Sequence, residues 1–142
     1  MYFTLVTVEA EPMDMDMVTL DALNDGIAEK GRVAIYDIYF DTGKSEVKEE
    51  SSQALAVIAN YLKQNKDKKF LVVGHTDNTG DFDNNIELSQ NRAKAVADIL
   101  ATEYEISEEH LLPYGIGSTS PVFSNTTEEG KARNRRVEIV ER

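Results

Sequence analysis

The 142-residue chain contains no cysteine, no tryptophan and only three prolines. Without cysteine it has no disulfide, no thiolate metal ligand and no lipid-modified cysteine of its own. No run approaches the roughly 18 apolar residues that a membrane-spanning helix needs, so we expect no direct membrane insertion. The opening segment, residues 1–6, also lacks the basic start and long apolar stretch of a secretion signal. These absences leave either a cytosolic protein or a piece of a longer secreted one.

Acidic residues dominate the charge, with 26 Asp and Glu against 15 Lys and Arg and a net charge of −11. This balance argues against a nucleic-acid partner, because phosphate binding needs clustered Lys and Arg. It also argues against a polybasic contact with anionic lipid. A neutral or zwitterionic ligand remains compatible with the composition. The length suits one ordinary domain, and the 41% of hydrophobic residues suffices for a packed core.

The hydrophobic pattern alternates between strands and helices. Short apolar or alternating segments predict strands at 2–8, 33–40, 70–73, 111–117 and 135–140. Helical periodicity predicts helices at 20–30, about 51–64 and about 85–103, while 118–131 is interpreted as a long loop. The predicted class is an α/β (α+β) two-layer sandwich with a β-α-β-α-β-β core and a mixed sheet. Residues 1–32 are interpreted as an N-terminal strand-helix extension packed on the domain formed by 33–142.

Two opposite charges stand out near the third predicted strand. Asp77 follows the buried strand 70–73, and Arg92 lies fifteen positions later on a predicted helix. Arg92 shares a helical face with Leu88 and Val96, four residues to either side. Asp77 could instead bond its own turn, and Arg92 could extend its head into water from the edge of the apolar stripe. The functional alternative is one site for a ligand that carries both an ammonium and a carboxylate.

Enzyme-like and metal-like fragments are weak in this chain. Calcium-loop frames starting at Asp77 and Asp81 lack the required glycine and the final glutamate. His75 and His110 have no partner set for zinc or for a nucleophilic triad, and His75 is interpreted as a structural hydrogen-bonding residue. The apolar segment before Asp41-Thr42-Gly43 resembles an aspartic-protease loop, which would require a dimer. We therefore expect no metal, no cofactor and no catalysis.

Five ordered blocks of residues resemble the peptidoglycan-binding domain of the OmpA, Pal and MotB family. The likeness covers roughly residues 33–140. It includes the strand with Phe40, the helix 55–62 and the segment GHTDNTG at 74–80. These are followed by Asn85, Leu88-Ser89, Arg92-Ala93 and Val96. It continues through Tyr114-Gly115-Ile116-Gly117 and Pro121 to Asn134-Arg135-Arg136-Val137-Glu138.

This resemblance implies non-covalent binding of peptidoglycan through meso-diaminopimelate of the stem peptide. In the family pattern the carboxylate that matches Asp77 accepts the side-chain ammonium of the ligand. The guanidinium that matches Arg92 holds the adjacent carboxylate. Further residues matched to the pocket are Phe40, Asp41, Thr76, Asn85, Leu88 and an arginine of the Asn-Arg-Arg segment. We favour Arg135 over Arg136 for that last position.

The resemblance also implies a place in the bacterial envelope. We expect a periplasmic domain, associated with the outer membrane, that tethers a lipoprotein or a barrel-anchored parent to the wall. The chain would then be a C-terminal fragment without its signal or anchor. Two alternatives remain open at this point: a protein-interaction domain of the same fold with a vestigial site, and a dimeric aspartic protease acting through Asp41. The oligomeric state is not predicted.

Overall fold

The computed structural model describes residues 17–142, so the strand predicted at 2–8 lies outside the described residues. Helices and strands alternate through the described part. Their bounds are α1 Leu20–Lys30, β1 Arg32–Ile35, α2 Ser52–Gln64, β2 Phe70–His75, α3 Phe82–Glu103, β3 Leu111–Gly117, α4 Glu128–Asn134 and β4 Arg136–Glu141. A single 3₁₀ turn, Glu49–Ser51, precedes α2.

The four strands of the described residues form one mixed sheet in the order β1-β4-β2-β3. Strand β4 runs antiparallel to both of its neighbours, and β2 pairs in parallel with β3. The parallel pair requires a crossover, which α3 supplies. This is the predicted α/β architecture with a mixed sheet, and that prediction is confirmed.

Local sequence signals account for the helix ends. The Thr19 side chain accepts a hydrogen bond from the Ala22 amide at 3.0 Å and so caps α1. Gly31 ends α1 at a φ of 75°, in the left-handed region that glycine adopts without a steric penalty. The carboxylate of Asp81 accepts from the Asn84 amide at 2.9 Å, which starts α3 at Phe82 rather than near the predicted position 85.

Two sequence predictions were wrong, one for the segment before α2 and one for the segment after β3. The strand predicted at 33–40 ends at Ile35 because side chains take over the following backbone hydrogen bonds: Ser51 Oγ accepts from the Tyr39 amide at 2.7 Å. Phe40 forms only an isolated antiparallel bridge with Val47. The loop predicted at 118–131 contains the start of α4, a seven-residue helix capped by the Thr127 side chain. Such a helix is too short to show an apolar stripe.

One hydrophobic cluster joins the helices to the sheet. Phe70 and Val72 of β2 and Ile139 of β4 are fully buried within it. Helix α1 contributes Leu23 and Ile27 to the same cluster, so its apolar side lies against the rest of the fold. Within residues 17–142, no helix combines the length and the apolar character needed to cross a membrane.

Helix α3 lies in direct backbone contact with the two parallel strands. A Cβ at Gly74 would meet the carbonyl of Ser89, and a Cβ at Gly115 would collide with the backbone nitrogen of Gln90. The Gln90 side chain accepts from the Gly115 amide at 2.9 Å and donates to the Pro113 carbonyl at 3.2 Å. The two glycines therefore let the helix approach the sheet closely, and the Gln90 side-chain amide holds it there through hydrogen bonds to β3.

We expect Gly115→Ala to lower the free energy of unfolding by about 3 kcal/mol, at the upper end for overpacking, because the new methyl meets helix backbone that cannot rotate away. Gly31→Ala is the matched control. Nothing lies within 4 Å of its Cβ position, so only the left-handed backbone is strained, at about 1–2 kcal/mol. Urea unfolding of both variants measures the difference. A smaller loss for Gly115→Ala than for Gly31→Ala would contradict the close packing of α3.

Candidate functional site

Asp77 is held in a tight polar loop directly after β2. Its side chain is only 11% exposed. One carboxylate oxygen, Oδ1, accepts from the Thr79 amide at 2.8 Å, and the other, Oδ2, accepts from Nη1 of Arg135 at 2.6 Å. Burial alone would raise the pKa of Asp77, but these hydrogen bonds from Thr79 and Arg135 outweigh it and hold the pKa below its ordinary value. The group is therefore a fixed anion at neutral pH.

The loop around Asp77 is braced from both sides. The Thr76 amide donates to the Gly117 carbonyl at 2.9 Å, and the Thr76 hydroxyl donates to the Asp77 carbonyl at 2.7 Å. From α3, the Asn85 side chain donates to the Thr79 carbonyl at 3.0 Å. Thr76 and Asn85 thus hold the loop in place through hydrogen bonds to its backbone, and the position of the loop fixes the orientation of the Asp77 carboxylate.

Arg92 projects from α3 and fastens the turn that follows Phe40. Its Nε donates to the Lys44 carbonyl at 2.8 Å, and its Nη2 donates to the Asp41 carbonyl at 3.2 Å. The guanidinium carbon lies 4.7 Å from the centre of the Phe40 ring, a cation–π distance. Burial lowers the pKa of Arg92 from its ordinary value, although a guanidinium stays charged in proteins. Arg92 therefore has a structural role. Its Nη1 has no hydrogen-bond partner within residues 17–142 and can still bind a ligand group.

The two consecutive arginines at the start of β4, Arg135 just before it and Arg136 as its first residue, have different environments. Arg135, the C-cap of α4, is 44% exposed and pairs with Asp77; its Nη2 lies 3.7 Å from the Glu128 carboxylate. Arg136 is fully buried and donates to Glu138 at 2.7 Å and to the Asn134 and Ser120 carbonyls at 3.1 Å each. Only Arg135 reaches Asp77, while Arg136 ties the 118–134 segment to the sheet.

His75 lies at the end of β2 and lines the same region. It is 6% exposed, and neither ring nitrogen has a hydrogen-bond partner within residues 17–142. Nε2 lies 3.7 Å from the Glu138 carboxylate. Burial, with the nearby Arg136 charge, lowers the pKa of His75 to about 4 even though Glu138 acts in the opposite direction. The interpretation of His75 as a hydrogen-bonding residue was therefore wrong, and the ring is neutral at neutral pH.

These residues surround a cavity of about 850 Å³. Asp77 and Arg92 both line it, so an anion and a cation face one space. Its walls come from the Phe40 turn, from the end of β2 and from α3 and α4. Cavities of about 300–1,000 Å³ suit small-molecule ligands. The arrangement can hold a zwitterionic group, with its ammonium toward Asp77 and its carboxylate toward Arg92.

The family model described as OmpA family matches residues 39–135. The chain belongs to the OmpA family. It is 42% identical over 122 residues to outer membrane porin F of Pseudomonas aeruginosa, covering 85% of this chain and 35% of that protein. It is 47% identical over 83 residues to the peptidoglycan-binding protein ArfA of Mycobacterium tuberculosis, covering 58% of this chain and 25% of that protein.

A solved structure gives the same result. The peptidoglycan-associated lipoprotein of Burkholderia pseudomallei superposes with a TM-score of 0.68 at 29% identity, covering 86% of this chain and 100% of that one. The family resemblance and the fold inferred from the sequence motifs are thus confirmed. The chain spans about a third of porin F and a quarter of ArfA, so it matches one part of those larger proteins.

Seven of the eight predicted site residues of this OmpA family domain line the cavity: Phe40, Thr76, Asp77, Asn85, Leu88, Arg92 and Arg135. Their role in binding stays a prediction. Asp41 is the one that does not line it, because its carboxylate turns to Lys48 at 3.1 Å and is 69% exposed. Asp41 reaches the site only through its carbonyl, which accepts from Arg92.

Sequence reasoning missed the α4 wall of the cavity. Glu128, Lys131 and Ala132 line it, and the first two fall in the segment 118–131 that the sequence predicts as a loop. A local signal was present, since Thr127 followed by two glutamates is a typical helix start. Within residues 17–142, no group of three or more histidine or acidic side chains is placed to hold a metal ion.

We expect the stability of the domain to fall as the pH is lowered from 6.5 to about 4, the interval between the ordinary and folded pKa values of His75. In this interval His75 is protonated in the unfolded chain but neutral in the folded chain. Lowering the pH therefore favours unfolding. One such group contributes at most about 1.4 kcal/mol per pH unit. Denaturant unfolding across the interval measures the slope.

The control for this prediction is His110→Gln, because burial lowers the pKa of His110 as well. His75→Gln should flatten the pH dependence much more than His110→Gln does. An unchanged slope in His75→Gln would show that His75 protonates freely in the folded state. Below the interval Asp77 adds to the effect, since its lowered pKa contributes stability that is lost as it becomes protonated.

Proposed function

We propose that this domain binds peptidoglycan non-covalently through meso-diaminopimelate of the stem peptide. The observation that carries the proposal is the cavity shared by Asp77 and Arg92. In a stem peptide, the side chain of meso-diaminopimelate ends in an ammonium and a carboxylate on one carbon. That pair of charges matches the pair offered by the cavity. A lysine side chain in the same place has only the ammonium.

Each charge of the site has room for a ligand group. Asp77 is already paired with Arg135, so a ligand ammonium would share the carboxylate or displace the arginine. Arg92 donates hydrogen bonds from Nε and Nη2 to backbone carbonyls, and its Nη1 has no hydrogen-bond partner within residues 17–142. Phe40 stacks on the guanidinium and supplies an apolar wall beside it. A ligand carboxylate on Nη1 would therefore meet a cation whose position is already fixed.

The expected affinity for one stem peptide is modest. Charge-assisted hydrogen bonds contribute about 1.5–3 kcal/mol each, and ordering and desolvation offset much of the sum. A polymeric wall presents many identical stem peptides, and linked binding events raise retention without any new contact. Weak single contacts and firm retention on the wall are thus compatible.

Names of relatives support the same assignment. One matched relative is called a peptidoglycan-binding protein and one solved neighbour a peptidoglycan-associated lipoprotein. Porin F is named as an outer membrane protein. We infer a domain of the bacterial envelope, on the periplasmic side, that tethers its parent protein to the wall and has no catalytic step. Residues 33–142 would form the binding domain and 1–32 an N-terminal extension, of which the described part packs on the core through Leu23 and Ile27.

We expect saturable binding of N-acetyl-L-Ala-γ-D-Glu-meso-diaminopimelate, and binding at least about tenfold weaker of the peptide with L-lysine as its third residue. The lysine side chain has no carboxylate to bind Arg92, so the lysine peptide loses one charge-assisted hydrogen bond. Titration of the ¹⁵N-labelled domain by NMR measures both affinities and locates the shifts. Asp77→Asn and Arg92→Gln should each weaken the diaminopimelate peptide by about tenfold or more.

Asp67→Asn is the matched control, since Asp67 is an exposed carboxylate that does not line the cavity. It should bind like the wild type. Amide spectra of every variant verify the fold. Equal affinity for the two peptides, or no binding by a folded wild-type domain, would contradict the proposal and favour a protein-interaction domain with a vestigial site.

A further inference from the structure

We propose that the α4 side of the cavity is a second carboxylate subsite, which binds the free α-carboxylate of the D-glutamate next to meso-diaminopimelate. The inference rests on the proposed function and deepens it. Lys131 and Arg135 are the residues assigned to this subsite. The domain would then prefer stem peptides with free D-glutamate over stem peptides in which that carboxylate is an amide.

The charge of the cavity differs from that of the whole chain. Although the chain carries a net charge of −11, cations outnumber carboxylates among the cavity residues. The positive groups that face the space are Arg92, Lys131 and Arg135, against the carboxylates of Asp77 and Glu128. Arg136 also lines it, but its charge is matched by buried Glu138 at 2.7 Å. A zwitterionic group uses one charge of each sign and leaves the excess cation unmatched.

Lys131 and Arg135 lack a strong anionic partner once the ligand ammonium is in place. Lys131 is half-buried and forms no ion pair within residues 17–142. Arg135 would share Asp77 with the ligand, and its other contact is the Glu128 carboxylate at 3.7 Å, 83% exposed. Exposed pairs of this kind contribute little. A carboxylate from the ligand would therefore gain two partly desolvated cations.

The stem peptide has such a group in the adjacent position. D-Glutamate is linked to diaminopimelate through its γ-carboxyl, so its α-carboxylate is free unless it is amidated. The cavity of about 850 Å³ is near the upper end for small-molecule sites, so a single amino-acid head group does not fill it. The site can thus accept the diaminopimelate side chain and the neighbouring residue together.

The test compares two peptides that differ in one group: N-acetyl-L-Ala-γ-D-Glu-meso-diaminopimelate and its D-isoglutamine form. Calorimetry at low salt should give the free acid an affinity about three- to tenfold higher. Lys131→Gln should reduce this preference, with Arg135 supplying the part that remains, and should weaken binding of the free acid more than binding of the amidated peptide. Lys63→Gln is the matched control, an exposed lysine of α2 that does not line the cavity. The preference should shrink toward about 1 M salt, where screening is strong.

The outcomes separate this inference from the proposed function. If diaminopimelate peptides bind better than lysine peptides but acid and amide bind equally, the subsite is wrong and the proposed function stands. If the acid is preferred and Lys131→Gln keeps the full preference, Lys131 is not its ligand and the assignment fails. If neither diaminopimelate peptide binds the folded domain, both proposals fail.

Discussion

The close contact between α3 and the parallel strands β2 and β3 is the constraint on which the site depends. Glycines at 74 and 115 let the helix backbone at Ser89 and Gln90 approach the sheet to a distance that any side chain would prevent. Asp77 lies two residues after the end of β2, and Arg92 lies less than one helical turn after Ser89 in α3. Packing of backbone on backbone therefore sets the position of both charges.

The two central charges of the site, Asp77 and Arg92, each have a partner within the domain. Asp77 is paired with Arg135, and Arg92 is satisfied by carbonyls of the turn after Phe40. This avoids the large penalty of an unpaired charge in a partly buried place. At Asp77 a ligand ammonium must share or replace the existing interaction with Arg135, so the net gain from that contact is smaller. The same arrangement that stabilises the fold thus limits the affinity of a single site.

Sequence signals predicted the parts of this structure that depend on local chemistry. Helix α2 shows its apolar stripe directly, and α1 has a threonine cap and a glycine stop. The end of β1 and the pairing of Arg135 with Asp77 depend on contacts between residues far apart in the chain. The Tyr39 amide donates a hydrogen bond to Ser51 Oγ only because the turn before α2 lies beside Tyr39. Propensity and periodicity carry no information about such contacts, so the resemblance to a family had to supply the pocket residues other than Asp77 and Arg92.

A crystal structure of the domain with a meso-diaminopimelate stem peptide tests the central claim most directly. The account predicts the ligand in the cavity, with its side-chain ammonium within hydrogen-bond distance of the Asp77 carboxylate and its adjacent carboxylate on Arg92 Nη1. Arg135 should remain near Asp77 or turn toward a ligand carboxylate. A peptide bound elsewhere, or bound in the cavity with no contact to either Asp77 or Arg92, would contradict it.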